Sequence, residues 1–295
     1  IGVSDWGAVH DRIASIKAGC DLEMPTSFGY RTKQVLDAIA NDENLRLAIT
    51  RSSDRMIEFA KKYKKQLEVP FDPKAHHEIA RKIASESMVL LKNENILPLD
   101  SKEKVALIGG FAETMRYQGG GSSHVNPTFV SHLKDIYPNY SQHITYAKGY
   151  HLDHEKNDES LIDEAIEIAK ESDKVIYVMG LPEYMETEGF DRSDIHIPYH
   201  QVHLLELLHE ANPNIIIVMI SGSVVDLSCD RFAKGLLQAY LGGQASSEAI
   251  LDILYGKVNP SGRLAETFIH DMESCNVKLT DDNHSVHYEE SIFIG

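Results

Sequence analysis

Read as a pattern of apolar and polar positions, the chain changes character about a third of the way along. Residues 1 to 6 (IGVSDW) look like the exposed end of a buried strand, DRIASIKAG reads as a short helix ended by Gly19, and CDLEMP as a second strand stopped by Pro25. Strand, helix and strand in so short a span predict a βαβ unit with parallel neighbours. Between Thr32 and about Gln66, Val35, Leu36, Ile39, Leu45, Leu47, Ile49, Met56, Ile57 and Phe59 recur at near-helical spacing, with Asn41 and Asp42 marking a break between two helices. VPFDP, residues 69 to 73, reads as a proline-bounded linker. HHEIARKIASESMVLLKN is expected to form one amphipathic helix ended by ENILPLDSKEK.

Beyond that point the period alternates. VALIGG (105 to 110), KVIYVMG (174 to 180), NIIIVMISG (214 to 222) and GLLQAYLGG (235 to 243) are buried-strand runs. Helical patterns lie between and after them at SLIDEAIEIAKES, HQVHLLELLHEA and SSEAILDILYG. Apolar strands alternating with amphipathic helices predict an α/β fold: a mostly parallel sheet with helices on both faces, and functional groups in the loops at the strand ends.

Composition narrows the classes of function. With 295 residues, 42% of them hydrophobic, the chain is long enough for a sizeable core in one large domain or two ordinary ones. Its 29 Lys and Arg stand against 45 Asp and Glu, a formal charge of -16. That balance speaks against nucleic acid and anionic membrane as partners, since both require a positive field. Three widely spaced cysteines, Cys20, Cys229 and Cys275, suggest neither a disulfide framework nor a zinc site, and fit a reducing, cytoplasmic setting. No apolar run approaches the roughly 18 residues of a membrane span. The chain opens inside an element, so its natural N-terminus is expected upstream of Ile1.

Several stretches hold chemistry-bearing groups. Asp5 stands at the C-terminal end of a parallel strand, where barrel enzymes place catalytic groups, although an acid there more often caps a helix or anchors a loop. METEGFDRSDIHIP (185 to 198) concentrates Glu186, Glu188, Asp191, Arg192 and Asp194 after a strand and a short linker. Such charge density commonly marks a solvated loop; the functional reading is a loop presenting a carboxylic acid, with Gly189 for flexibility and Arg192 fixing neighbouring carboxylates. YQGGGSSHVNP (117 to 127) lacks the ending of a phosphate loop, so its three glycines are expected to let the backbone approach a ligand or a neighbouring domain. His76, His77 and Glu78 are adjacent on one helix and point apart, so no metal site is expected there. His151, His154, His196, His200, His203 and His209 read as surface or structural, and no serine-hydrolase elbow accompanies Ser4, Ser122, Ser123 and His124.

Taken in order, SDWGAVHD, AGCDLEMP, ESMVLLKNENILPL, GGGSSHVNP, EGFDR, GGQASSEAILDILYGKVNPSGRLAETF and YEESIFIG resemble the family 3 glycoside hydrolases of β-glucosidase type. The resemblance is collinear over nearly the whole chain, and the GGQ to NPSGRL segment is its most specific part. It implies the C-terminal part of a (β/α)8-like barrel over residues 1 to 70, an interdomain linker and helix over 71 to 100, an α/β sandwich over 101 to 270 and a tail over 271 to 295. It implies that Asp5, in the SDW motif, is the nucleophile and that the acid/base is Glu188, with Glu186 the alternative because this loop varies in length. Trp6, Glu186 and Arg192 are then expected at the sugar site, with no metal and no cofactor. The implied reaction is retaining hydrolysis of a terminal β-linked sugar, a β-glucoside or oligosaccharide, which needs two carboxyl groups roughly 5 to 5.5 Å apart, one ionised and one protonated. β-Xyloside or α-arabinofuranoside specificity is the milder alternative. A noncatalytic carbohydrate-binding or docking fragment is the other, because the earlier strands that position the sugar are not in this sequence.

Overall fold

The computed structural model describes residues 1–64, 70–269, 272–275, 277–279, 284–289 and 291–292. The expected helix end at Gln66 and the start of the 69 to 73 linker lie outside them. The chain divides into two compact units, Ile1–Phe71 and Asp72–Gly295.

The first unit holds β1 (Gly2–Val3), α1 (Arg12–Lys17), β2 (Cys20–Leu22), α2 (Tyr30–Ile39) and α3 (Glu43–Tyr63). β1 and β2 pair in parallel, Gly2 opposite Cys20 and Val3 opposite Leu22, with α1 as the crossover. Aspartates begin two of the helices. Asp11 accepts from the Ala14 N–H and Asp42 from the Leu45 N–H, satisfying donors that a helix start leaves open. Asp21 at the β2 edge accepts a forked pair from Arg55 of α3 and a third bond from the Gly2 N–H at 2.9 Å. Among the described residues of this unit the buried apolar side chains are Val9, Ile16 and Leu45, while Val3, Leu36, Ile57, Phe59 and Tyr63 are exposed.

The second unit opens with α4 (Pro73–Ser87), capped by Asp72 with Pro73 in its first turn. The chain then straightens into β3 (Val89–Asn93). The expected single helix through MVLLKN therefore ends at Ser87: Met88 is already extended, and Val89 to Asn93 pair antiparallel with a neighbouring strand. After it come β4 (Val105–Ile108), the single turns α5 (Gly110–Glu113) and α6 (Leu133–Ile136), β5 (Ile144–Ala147), α7 (Glu159–Lys170), β6 (Lys174–Gly180), α8 (Tyr199–Ala211), β7 (Ile215–Ile220), β8 (Gly235–Gln238) and α9 (Ser246–Leu254). A two-stranded antiparallel ribbon, β9 (Val277–Leu279) with β10 (Val286–Tyr288), completes the described part.

Six strands form one sheet in the order β3-β8-β7-β6-β4-β5, all parallel except β3 at its edge. The α/β fold with a mostly parallel sheet is thus borne out. Two strands of this sheet lie outside the four apolar runs: β3, and β5 at the far edge, where Ala147 is buried, Ile144 and Tyr146 are half-buried and Thr145 is exposed. Chain order along the parallel part reverses between β4 and β6, so the C-terminal ends of those strands open a crevice where such folds carry their sites. β7 (IIIVMI) is buried at every position, and each such side chain contributes roughly 1.5–3 kcal/mol of transfer free energy.

Gly180 ends β6 at φ +155°, where an added Cβ would lie 1.9 Å from the Ile220 carbonyl oxygen of β7. The same residue is gripped by the buried Gln201 of α8, which accepts from the Gly180 N–H at 2.8 Å and donates to its carbonyl at 3.0 Å. The loop leaving this strand is therefore rooted in the core. α4 is fixed to α9 by Arg81, whose guanidinium meets both carboxylate oxygens of Asp252 at 2.7 and 2.8 Å.

Candidate active site

The acidic loop runs from Gly180 to Pro198, between β6 and α8. Its first turn is held by Arg116, which follows α5 and is buried. One Arg116 nitrogen donates to the Leu181 carbonyl at 2.9 Å and to Glu186 Oε2 at 2.6 Å; the other donates to the Glu186 carbonyl at 2.9 Å. Glu186 also accepts from the Gly222 N–H at 2.9 Å and from the Ser223 hydroxyl, both just after β7. Burial pushes the Glu186 carboxyl up, but the bonds from Ser223, Gly222 and Arg116 outweigh it and leave the group below the ordinary carboxylate range. Glu186 is a saturated, ionised anchor.

Glu188, two residues on, is exposed. Its Oε2 accepts from the Ser122 N–H at 2.5 Å, and bonding from Ser122 lowers its pKa. Two of the three glycines, Gly120 and Gly121, explain the approach. A Cβ at Gly120 would sit 2.2 Å from the Thr187 hydroxyl, and one at Gly121 2.5 Å from the Glu188 Cβ. The glycine run, expected to admit a ligand or a neighbouring domain, here seats the acidic loop itself. Thr187 bridges Gly120 on one side and Phe190 on the other, which folds the loop into a tight turn with Glu188 inside it.

Arg192 lies on the returning limb and donates to the Ser223 hydroxyl at 3.0 Å and the Val224 carbonyl at 2.8 Å. It reaches Glu186 through Ser223. The group that grips a carboxylate directly is Arg116. Burial lowers the Arg192 pKa, with Glu186 and Asp194 acting in the opposite sense. Glu186, Glu188, Phe190, Arg192, Gly222 and Leu241 line an open cleft of about 560 Å³.

Asp5 and Trp6 belong to the first unit. Asp5 follows β1, with its Oδ1 accepting the Trp6 N–H at 2.6 Å, and the Trp6 ring is 70% exposed. The strand end is tied to β2 by the Ser4 N–H to the Leu22 carbonyl and by the Met24 N–H to the Ser4 hydroxyl. Both residues are exposed at the C-terminal edge of a parallel pair. Sequence reasoning missed Arg116, Gly222 and Ser223. The available signal was the Ser-Gly-Ser turn directly after a fully buried strand, and a lone arginine between Met115 and Tyr117.

Residues 88–295 match the model of the glycosyl hydrolase family 3 C-terminal domain. The chain belongs to glycosyl hydrolase family 3. Over 99% of its length it is 42% identical to a thermostable beta-glucosidase B of Acetivibrio thermocellus, covering 40% of that protein. Over its full length it is 39% identical to an exo-alpha-(1->6)-L-arabinopyranosidase of Bifidobacterium breve, covering 41% of it. Among solved structures it is similar to a family 3 β-glucosidase of Bifidobacterium adolescentis, with a TM-score of 0.90 at 40% identity, covering 99% of this chain and 44% of that one. The chain thus spans about two-fifths of the length of these relatives. No helix among the described residues is long and apolar enough to cross a membrane.

Proposed function

We propose that this chain is the portion of a retaining β-glucosidase that carries both catalytic carboxyl groups, with Asp5 as nucleophile and Glu188 as acid/base. The observation that carries the division of labour is the contrast between Glu186 and Glu188. Glu186 is fully engaged by Arg116, Gly222 and Ser223, and protonating it would break charge-assisted bonds. Glu188 is exposed and has its bonding to Ser122 alone to exchange for a glycosidic oxygen. Glu186 and Arg116 are positioning residues that hold the loop.

In the reaction, Glu188 protonates the leaving oxygen while Asp5 attacks the anomeric carbon, giving a glycosyl ester on Asp5. Glu188, now ionised, takes a proton from water, which releases the sugar with net retention. Releasing Ser122 is the step that lets the Glu188 pKa rise toward the value an acid catalyst needs. Trp6 offers its exposed face to the sugar, and residues 1 to 70 serve as the end of a barrel. Support for that last reading is the open parallel pair with few buried apolar side chains beneath it. The three widely spaced cysteines, with no CxxC pair among them, fit a cytoplasmic setting.

The test is a 2-fluoro β-glucoside, which traps the ester. It is applied to the 295-residue chain and to a polypeptide extended to the length of its relatives, and the labelled peptide is read by mass spectrometry. Labelling of Asp5 in the extended protein is expected, with little turnover by the short chain. Turnover without a label on Asp5 would refute the assignment. The identity to an arabinopyranosidase makes α-L-arabinopyranoside, beside β-xyloside, the comparison substrate in the same assay. A kcat/KM for the β-glucoside below either one would move the proposal to that sugar.

A further inference from the structure

The turn between β5 and α7 reads HLDH, residues 151 to 154, and the function proposed above does not use it. Its histidines read from sequence as surface or structural groups. In the structure one ligand atom from each of His151, Asp153 and His154 lies within 4.8 Å of the other two. The two imidazole rings stand 4.6 Å apart. Asp158, the cap of α7, places Oδ2 3.3 Å from His151 Nε2, and the carboxylate of Glu155 accepts from the Tyr184 hydroxyl beside the same turn.

We propose that His151, Asp153 and His154 form a binding site for a borderline divalent cation, zinc being the class member that two imidazoles and one carboxylate suit best. Tetrahedral coordination at roughly 2.0–2.2 Å per bond puts ligand atoms about 3.3 Å apart, so groups that lie within 4.8 Å of one another need to close by up to about 1.5 Å. His154 and Asp153 are exposed, with His154 Nδ1 accepting from the Lys156 N–H at 3.3 Å and its Nε2 3.9 Å from Asp153 Oδ1, and all three ligands come from one four-residue turn, so no distant chain has to be ordered.

The surroundings supply what such a site requires. Asp158 occupies His151 Nε2, which leaves Nδ1 for the metal and holds the ring in one orientation, as carboxylates behind metal-bound histidines do. Asp153, Glu155 and Asp158 give the turn a local negative charge that a dication offsets. Beneath it, His200 is 3% exposed, donates from Nε2 to the His151 carbonyl at 3.3 Å and leaves its Nδ1 without a partner. Through Glu155 and Tyr184 the occupied turn would brace the segment Glu183–Met185 at the base of the acidic loop.

The experiment is titration of the tag-free 295-residue chain with Zn²⁺ by calorimetry, and with Co²⁺ by visible absorption, in wild type and in the His154→Ala and Asp153→Asn variants. One zinc per chain is expected, with a tetrahedral cobalt spectrum and a rise in melting temperature. Each variant should weaken zinc binding about tenfold or more and lose the spectrum. Binding of equal strength in wild type and both variants would place the ion at other histidines and overturn the proposal. Absence of saturable binding by wild type would overturn it too. Because both variants change exposed side chains, their melting temperatures without metal should match wild type, which separates loss of the site from loss of the fold.

Discussion

At the scale of single residues, the two glutamates of the acidic loop differ in what they can give up. Glu188→Ala in the extended protein should lower kcat by about 10²- to 10⁴-fold for a substrate with a poor leaving group and far less for an activated aryl glucoside. Azide should restore turnover of that variant by attacking the glycosyl ester without help from a base, displacing the Asp5 carboxylate and forming the glycosyl azide. Rescue at Glu186→Ala in its place would exchange the two roles. Glu186→Gln makes a different prediction, in stability. The folded-state pKa of Glu186 is depressed, so its contribution is present above the ordinary carboxylate pKa and fades as pH falls through the depressed value. The variant should be less stable at pH 7 by about 1–3 kcal/mol, and the gap should narrow on acidification, as urea titrations at several pH values would show. A gap independent of pH would mean that shape, and not charge, holds the loop. Asp5 and Glu188, the proposed pair, could be singled out from the sequence because they sit in local motifs. Arg116 was not, because its partner Glu186 lies 70 positions away and nothing in a lone loop arginine announces a distant carboxylate.

At the scale of elements, the strands that could be read were those buried on both faces. β4, β6 and β7 are continuous apolar runs because helices cover them on either side, and the amphipathic patterns of α7, α8 and α9 mark the cover. The edges were illegible for the opposite reason. β5 is half wet, so ITYA carries no run, and β3 follows α4 after a single extended residue, Met88, so the helical period bleeds into it. Two substitutions test how elements hold the site. Gly180→Ala must displace either β7 or the strand end, since its Cβ has the Ile220 carbonyl at 1.9 Å. It should destabilise the protein by about 2 kcal/mol or more and reduce activity beyond that loss. Arg81→Met leaves Asp252, 4% exposed, without its counter-ion, and a cost of about 3–5 kcal/mol is expected in denaturant unfolding. A change below about 1 kcal/mol would show that Tyr140, whose hydroxyl donates to Asp252 at 2.8 Å, suffices alone.

At the scale of the whole molecule, the two units are unequal in what they bury. The second has a continuous core spanning the sheet and the helices on both sides of it, from Met88 through the β6 and β7 runs to Leu254. The first buries Val9, Ile16 and Leu45 and relies on polar ties such as the Asp21 to Arg55 fork, while α3 leaves Leu47, Ile57, Phe59 and Tyr63 about half exposed. A two-stranded parallel pair has two open edges and cannot shield its own faces, so local opening there should be far cheaper than global unfolding. Limited trypsin digestion of the 295-residue chain should therefore cut within residues 1 to 71, where Arg51, Lys61, Lys62 and Lys64 are exposed, and leave a resistant fragment beginning near residue 72. Hydrogen exchange should agree, with β6 and β7 amides slowest and those of β1 and β2 among the fastest. The same digestion on a polypeptide extended to the length of its relatives distinguishes two causes of the weakness. If residues 1 to 71 are the end of a barrel, the extension pairs the open edges and the cuts in this region slow by about tenfold or more. Unchanged cutting would mean that the weakness belongs to this unit itself, and the barrel reading of residues 1 to 70 would fall with it.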